Sequence, residues 1–323
     1  MRRAMATAAI VAGLIMNAAA PAAAEWPNDK PIRVVVGFGP GGGTDIVARI
    51  LAMPLSELLR QTVVVENKPG AGGAIAGDLV AKADKDGYTA SMISAGHTVS
   101  AVMVKAVRYD AVKDFAAVAL VADSAFVVVA RKDFPANDIK GLVALAKASP
   151  GKLNLASVGL GSTQHFAAEL LSQMTDIDVK HIPYRGTPAV VTALLAKDVD
   201  YAVETLHSVQ GQVQAGELKL LAVGAPTRWP TIPNVPTVAE SGVAGYGVLG
   251  WYGWVYPAGT PQRIVDKTNA ALKQVLSRPD IKEQMAKAGA AAHVSTPAEF
   301  GKHIADEVDK WKLVRDKAGL EPN

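Results

Sequence analysis

The sequence predicts an α/β protein built from two domains. Three observations carry this. The chain has 323 residues, more than one ordinary core accommodates. Half of the residues are hydrophobic and a fifth are charged, a globular balance and not a disordered one. Short apolar runs alternate with glycine loops and helix-periodic segments, the signature of a largely parallel sheet. That pattern starts at residue 32 and restarts near residue 153.

The first strand is Ile32-Arg33-Val34-Val35-Val36. The glycine-rich run Gly37-Phe38-Gly39-Pro40-Gly41-Gly42-Gly43 cannot continue it, so a helix capped by Thr44 or Asp45 follows. Ile46, Val47, Ile50, Leu51, Leu55, Leu58 and Leu59 give that helix its apolar face, and Pro54 is expected to kink or shorten it. A strand at residues 62–66, a second glycine loop at 67–73, a helix at 74–83 and a strand at 88–93 complete the first run. Residues 120–131 form a strand too long for one small sheet, which suggests that it crosses between domains. In the second run, residues 153–157 are a strand, 158–162 a glycine loop and 163–174 a helix. Strands at 179–182, 199–203 and 219–224 and a helix at 188–196 follow. Four prolines mark an extended loop at 226–236. The aromatic strand 249–256 leads into helices at 262–277, 280–288 and 297–318. The chain therefore leaves one domain near 122 and returns near 248. This gives residues 25–122 and 248–323 as domain 1 and 123–247 as domain 2, with two crossings as a hinge and the intervening cleft as the default ligand site. Trp251 and Trp254, three apart in a strand, are expected on opposite faces, one in the core and one lining the cleft.

Residues 1–24 read as a signal peptide. Arg2 and Arg3 form the positive start, an Ala-rich apolar stretch follows, and Ala22-Ala23-Ala24 is a small-residue cleavage pattern before Glu25. An uncleaved anchor is the other reading; the short apolar core and Pro21 argue against it. Periplasmic export is expected, with cleavage after Ala24. The net charge of +3 includes both leader arginines, so the remainder is near neutral and has no nucleic-acid footprint. The sequence has no cysteine, which excludes disulfides, thiol catalysis and cysteine metal sites.

Gly37-x-Gly39-x-x-Gly42, between strand and helix, matches the dinucleotide fingerprint, with Glu66 near the position of a ribose-binding acid. Export, the stiffening Pro40 and a counterpart loop in the second half weigh against a nicotinamide site. No Lys precedes Thr44, so a phosphate loop of the Walker kind fails. What the glycines supply is exposed backbone amides at a helix N-terminus, an anion seat that needs no charged side chain. Gly159-Leu160-Gly161-Ser162-Thr163 repeats this in the second half. Two such seats facing each other could grip one carboxylate. The candidate ligand-binding residues are Phe38, Gly39, Pro40, Gly41, Gly42, Gly43, Thr44 and Asp45, with Ser157, Gly159, Gly161, Ser162, Thr163 and His165. No Gly-x-Ser-x-Gly elbow is present. The six histidines lack metal spacing, and only His97 and His165 lie near glycine loops. No catalytic residue, cofactor or metal is expected. An exported α/β enzyme and a ligand-sensing subunit of a signalling system stand as the alternative functions.

Several ordered segments carry a resemblance. They are Trp26-Pro27, Lys30-Pro31-Ile32-Arg33-Val34-Val35-Val36, Pro40-Gly41-Gly42-Gly43-Thr44-Asp45, Val65-Glu66-Asn67-Lys68-Pro69-Gly70, Pro183-Tyr184-Arg185-Gly186 and Pro257-Ala258-Gly259-Thr260-Pro261. Together they resemble the substrate-binding components of tripartite tricarboxylate transporters, the Bug or TctC-like family, over essentially the whole mature chain. The resemblance implies a two-domain periplasmic-binding-protein-like (Venus flytrap) fold. It implies that amides of the loops at 38–45 and 157–165 hold a ligand carboxylate, commonly with ordered water. The ligand would be a dicarboxylate, a tricarboxylate, an acidic amino acid or an aromatic acid. The implied partners are the membrane subunits of a tripartite tricarboxylate-type transporter, and the protein is expected to act as a monomer. Gly37 stands where the family usually has proline and Tyr256 where it has alanine, which bears on loop shape and hinge packing. Arg185 could pair with a second ligand carboxylate or sit at a surface turn.

Overall fold

A computed structural model describes residues 26–158 and 162–322. The proposed leader and its cleavage point lie outside the described residues, as do Gly159 and Gly161.

In chain order the first run is β1 (Ile32–Val36), α1 (Gly43–Leu59), β2 (Val63–Asn67), α2 (Ala74–Ala81), β3 (Thr89–Ser94) and α3 (Ala95–Met103). Then comes β4 (Phe115–Arg131). The second run is α4 (Ile139–Ala148), β5 (Asn154–Ser157), α5 (Thr163–Thr175), β6 (Lys180–Pro183), α6 (Thr187–Ala196), β7 (Tyr201–Thr205), α7 (Leu206–Gln214) and β8 (Leu218–Val223). The chain closes with β9 (Leu249–Pro257), α8 (Gln262–Ser277), α9 (Pro279–Lys287), β10 (Ala290–Ala292) and α10 (Pro297–Ala318).

Two sheets share the 17-residue strand β4. In the first, β2, β1 and β3 run parallel, and β9, β4 and β10 add antiparallel neighbours. In the second, β6, β5 and β7 run parallel, and β4 and β8 are antiparallel. The expected largely parallel sheet is thus a mixed one, because β9 enters the first sheet, and β4 the second, against the parallel core. The partner of β4 changes between Ala125, paired with Leu249, and Phe126, paired with Thr205. The long apolar run is long because one strand serves both sheets.

Two local expectations are corrected and two helices are added. The cap of α1 is Gly42, not Thr44 or Asp45. Pro54 lies within α1 and does not end it, since the helix continues to Leu59. Helices α3 and α7, which carry little helical periodicity, follow directly on β3 and β7.

Trp251 and Trp254 are both buried and do lie in different cores. Trp251 packs edge-on against Phe300 of α10 at 5.7 Å. Helix α10 braces both halves. Its Trp311 meets Phe166 of α5 at 5.7 Å, its Val314 carbonyl accepts from Gln173, and its Arg315 donates to the Val102 carbonyl of α3.

Candidate functional site

A cleft of about 730 Å³ opens between the two sheets, a size suited to a small molecule. It lies at the carboxyl ends of the parallel strands. Each such strand feeds a helix, so helix N-termini collect at this edge. Five of them wall the cleft. The first half contributes Gly42, Gly43 and Thr44 of α1 and Ser94, Ala95 and Gly96 of α3. The second half contributes Ser162, Thr163 and Gln164 of α5, Thr187 and Pro188 of α6, and Thr205, His207 and Ser208 at α7. Ser124 and Phe126 of β4 and Gly250, Trp251 and Tyr252 of β9 form the floor.

The first glycine loop is held from behind. Gly41 adopts φ +81°, a left-handed conformation that glycine accepts at no steric cost, and it donates its amide to Asp45 Oδ2 at 2.9 Å. Asn67 donates to the Phe38 carbonyl and to Asp45 Oδ1, and Arg49 Nε donates to both carboxylate oxygens of Asp45. Burial alone would raise the Asp45 carboxyl, but Arg49, Gly41 and Asn67 together hold it below the usual carboxylate range. Asp45, a candidate ligand contact in the sequence, is only 2% exposed and faces away from the cleft as the brace of the loop. Phe38, Pro40, Gly41, Gly42, Gly43 and Thr44 line the cleft as expected; Gly39 is exposed beside it.

In the second loop, Ser162 and Thr163 line the cleft, and Ser162 Oγ caps α5 by accepting from the His165 amide. Ser157 and His165 do not line it. Ser157 is 1% exposed at the end of β5. The His165 ring turns inward, where His165 and His181 approach one oxygen of Glu169 at 3.6 and 3.0 Å. Burial would raise Glu169, but the two histidines hold it down at about 2. These three groups lie within 4.8 Å of one another and are the one candidate metal cluster among the described residues. Both Nε2 atoms point at the same carboxylate oxygen, which serves a hydrogen-bonded brace better than a metal needing each lone pair at about 2.0–2.1 Å. His97 is also structural. It stacks on Tyr109 and meets Phe115 edge-on, and burial lowers it to about 4. The histidine that does line the cleft is His207, which no sequence signal singled out.

Two features set the chemistry of the cleft. Among the described residues, no Lys, Arg, Asp or Glu lines it. Helices α1, α3, α6 and α7 start there without a side-chain cap on their first-turn amides. Uncapped amides and the positive dipole ends of five helices favour an anion without a cationic side chain. Arg185 is exposed at the turn before α6 and does not line the cleft.

Residues 47–320 match the profile of the tripartite tricarboxylate transporter family receptor. The chain belongs to that receptor family. The receptor is similar to the solved periplasmic binding protein BugD, at 36% identity over 91% of this chain and 99% of that one, with a TM-score of 0.76. It is similar to R. palustris Rpa4515 with adipate, at 31% identity over 93% and 100% of the two chains and a TM-score of 0.80. It is also similar to MatC from Rhodopseudomonas palustris with bound malate, at 31% identity over 88% and 98% and a TM-score of 0.75. The receptor thus has the two-domain Venus-flytrap fold that its two sheets and shared β4 describe. Beyond the glycine loops, the cleft takes in α3, α6 and α7, and the cue available in the sequence was a strand ending on Ser94 or Thr205.

Proposed function

We propose that the receptor captures a small carboxylate in this cleft and passes it unchanged to the membrane subunits of a tripartite tricarboxylate-type transporter. The observation that carries the reading is a cleft walled by five helix N-termini, with no charged side chain among its described lining residues. One carboxylate group sits on the first-turn amides of Gly43 and Thr44, with Gly41 and Gly42 lining the seat. Ser162 and Thr163 close on it from the facing wall. The α6 and α7 starts then receive the far end of the ligand. Malate and adipate, named with two similar proteins, are both dicarboxylates, and a ligand of that kind would occupy helix N-termini at both ends. Residues 25–122 and 248–323 act as one closing lobe and 123–247 as the other. The receptor works as an exported monomer lacking residues 1–24.

Native mass spectrometry of receptor isolated from the periplasm tests this. The expected result is a chain beginning at Glu25, carrying one carboxylic acid that is released chemically unchanged. A chain that retains Arg2 and Arg3 removes the export reading. A bound ligand without a carboxylate, or turnover of the ligand, removes the carrier reading.

A further inference from the structure

Glu204, the penultimate residue of β7, stands directly behind the second wall of the cleft, and its side chain is fully buried. One oxygen, Oε2, accepts from Thr187 Oγ1 at 3.0 Å and from the Thr205 amide at 3.3 Å. The other, Oε1, is buried with no hydrogen-bond partner. Thr187, Thr205 and Gln164, which also faces this carboxyl, all line the cleft at the starts of α6, α7 and α5. Val127 lies opposite on β4. The titratable groups on the surrounding elements include His165 and Glu169 of α5, engaged with His181, His207 of α7, and Asp123 and Arg131 of β4, which pair with His293 and with Asp133 and Asp200. None of them forms an ion pair with Glu204 among the described residues.

We propose that Glu204 is a positioning residue which ties three helix starts into one ligand wall, and that it does so as a neutral acid, so that binding of a carboxylate takes up a proton. This rests on the carboxylate reading above. A charged Glu204 would be buried without a cation and would stand behind a wall that receives an anion, and both conditions favour the protonated form. A neutral acid can keep Oε2 as the acceptor for Thr187 and Thr205 and carry its proton on Oε1. Burial pushes the group up to about 7, so its proton is exchangeable near physiological pH. A bound anion raises it further. Linkage then requires proton uptake on binding above pH 7, and affinity that falls as pH rises. His207, lowered by burial from an ordinary value of 6.5, titrates below this window.

The test is calorimetry with malate, adipate and benzoate in buffers of different ionisation enthalpy, on wild type, Glu204→Gln and Glu204→Ala. Thermal melting of each protein serves as the folding control. Wild type should take up a fraction of a proton with the carboxylate that binds, and should weaken by about tenfold between pH 7 and 8.5. Glu204→Gln keeps an acceptor for Thr187 and Thr205. It should bind as wild type does at pH 6, with no proton uptake and a flat profile. Glu204→Ala, if folded, should bind weakly at every pH. Binding with parallel wild-type and Glu204→Gln profiles overturns the inference and leaves the carboxylate reading intact. No binding of any carboxylate at any pH overturns both.

Discussion

Tyr252 and Gly43 are packed so closely that the tyrosine hydroxyl occupies the space a β-carbon on residue 43 would need. Gly43 is the first residue of α1, and Tyr252 lies on the crossing strand β9, opposite Ala122 of β4. This contact pins the first glycine loop to the strands that join the two halves. Gly43→Ala should therefore displace the ring, costing about 1–3 kcal/mol of stability and weakening carboxylate binding. Tyr252→Phe removes the atom nearest the new methyl and should recover part of the loss. Urea denaturation of the two single variants and the double variant checks this. Purely additive losses would show that the contact does not couple the two residues.

The brace behind the loop has a pH signature. Asp45 holds Gly41, Arg49 and Asn67, and Asp45→Ala leaves their donors without this acceptor, at a cost of about 1–3 kcal/mol. Its carboxyl titrates lower in the folded chain than in the unfolded one, where the ordinary value is 3.8. The charged form is therefore the stabilising one. Its contribution is complete above pH 3.8 and is lost as pH falls through the folded value. Stability curves of wild type and Asp45→Asn should stay separated at pH 7 and 5 and converge at lower pH. A constant gap down to acid unfolding would mean that the charge of Asp45 is not what holds the loop.

Much of this architecture can be read in the chain. Each glycine loop sits between a strand and a helix, and the unusual length of the 120–131 run signals a strand shared between sheets. Helices α3 and α7 are illegible for a physical reason. Ala95, His97, Thr98, Val99 and Ser100 are all buried, so α3 has no polar face to set a period. In α7 only Leu206 and Val209 are buried, which is too few to set one. The inward turn of the Asp45 and His165 side chains is illegible because proximity to a glycine loop does not fix the direction of a side chain. Asp45 turns toward Arg49 and Asn67, and His165 turns toward Glu169.

Ligand should draw the two halves together. The crossings at β4 and at the start of β9 are the only covalent joints through which such a motion need pass among the described residues, while α10 packs on both sides of them. Closure requires tighter binding to the closed state than to the open one. Solution scattering with saturating ligand should give a smaller radius of gyration than without it. Identical profiles would mean that the cleft binds without closing.

The central claim is that backbone amides at helix starts, not cationic side chains, hold the carboxylate. Gly42 offers the most direct probe. Its backbone is extended at φ −75°, and a β-carbon there meets only the Gly39 carbonyl oxygen, at 3.5 Å. Valine therefore fits the fold and projects a branched side chain where the anion would lie. Charge-assisted hydrogen bonds contribute roughly 1.5–3 kcal/mol each, so losing two weakens binding about a hundredfold or more. Calorimetry of the native carboxylate into wild type, Gly42→Val and Arg185→Ala decides the matter. The account predicts that Gly42→Val melts like wild type but binds at least about a hundredfold more weakly, while Arg185→Ala stays within about threefold of wild type. A folded Gly42→Val protein that binds like wild type, or an Arg185→Ala protein that loses binding, would contradict it.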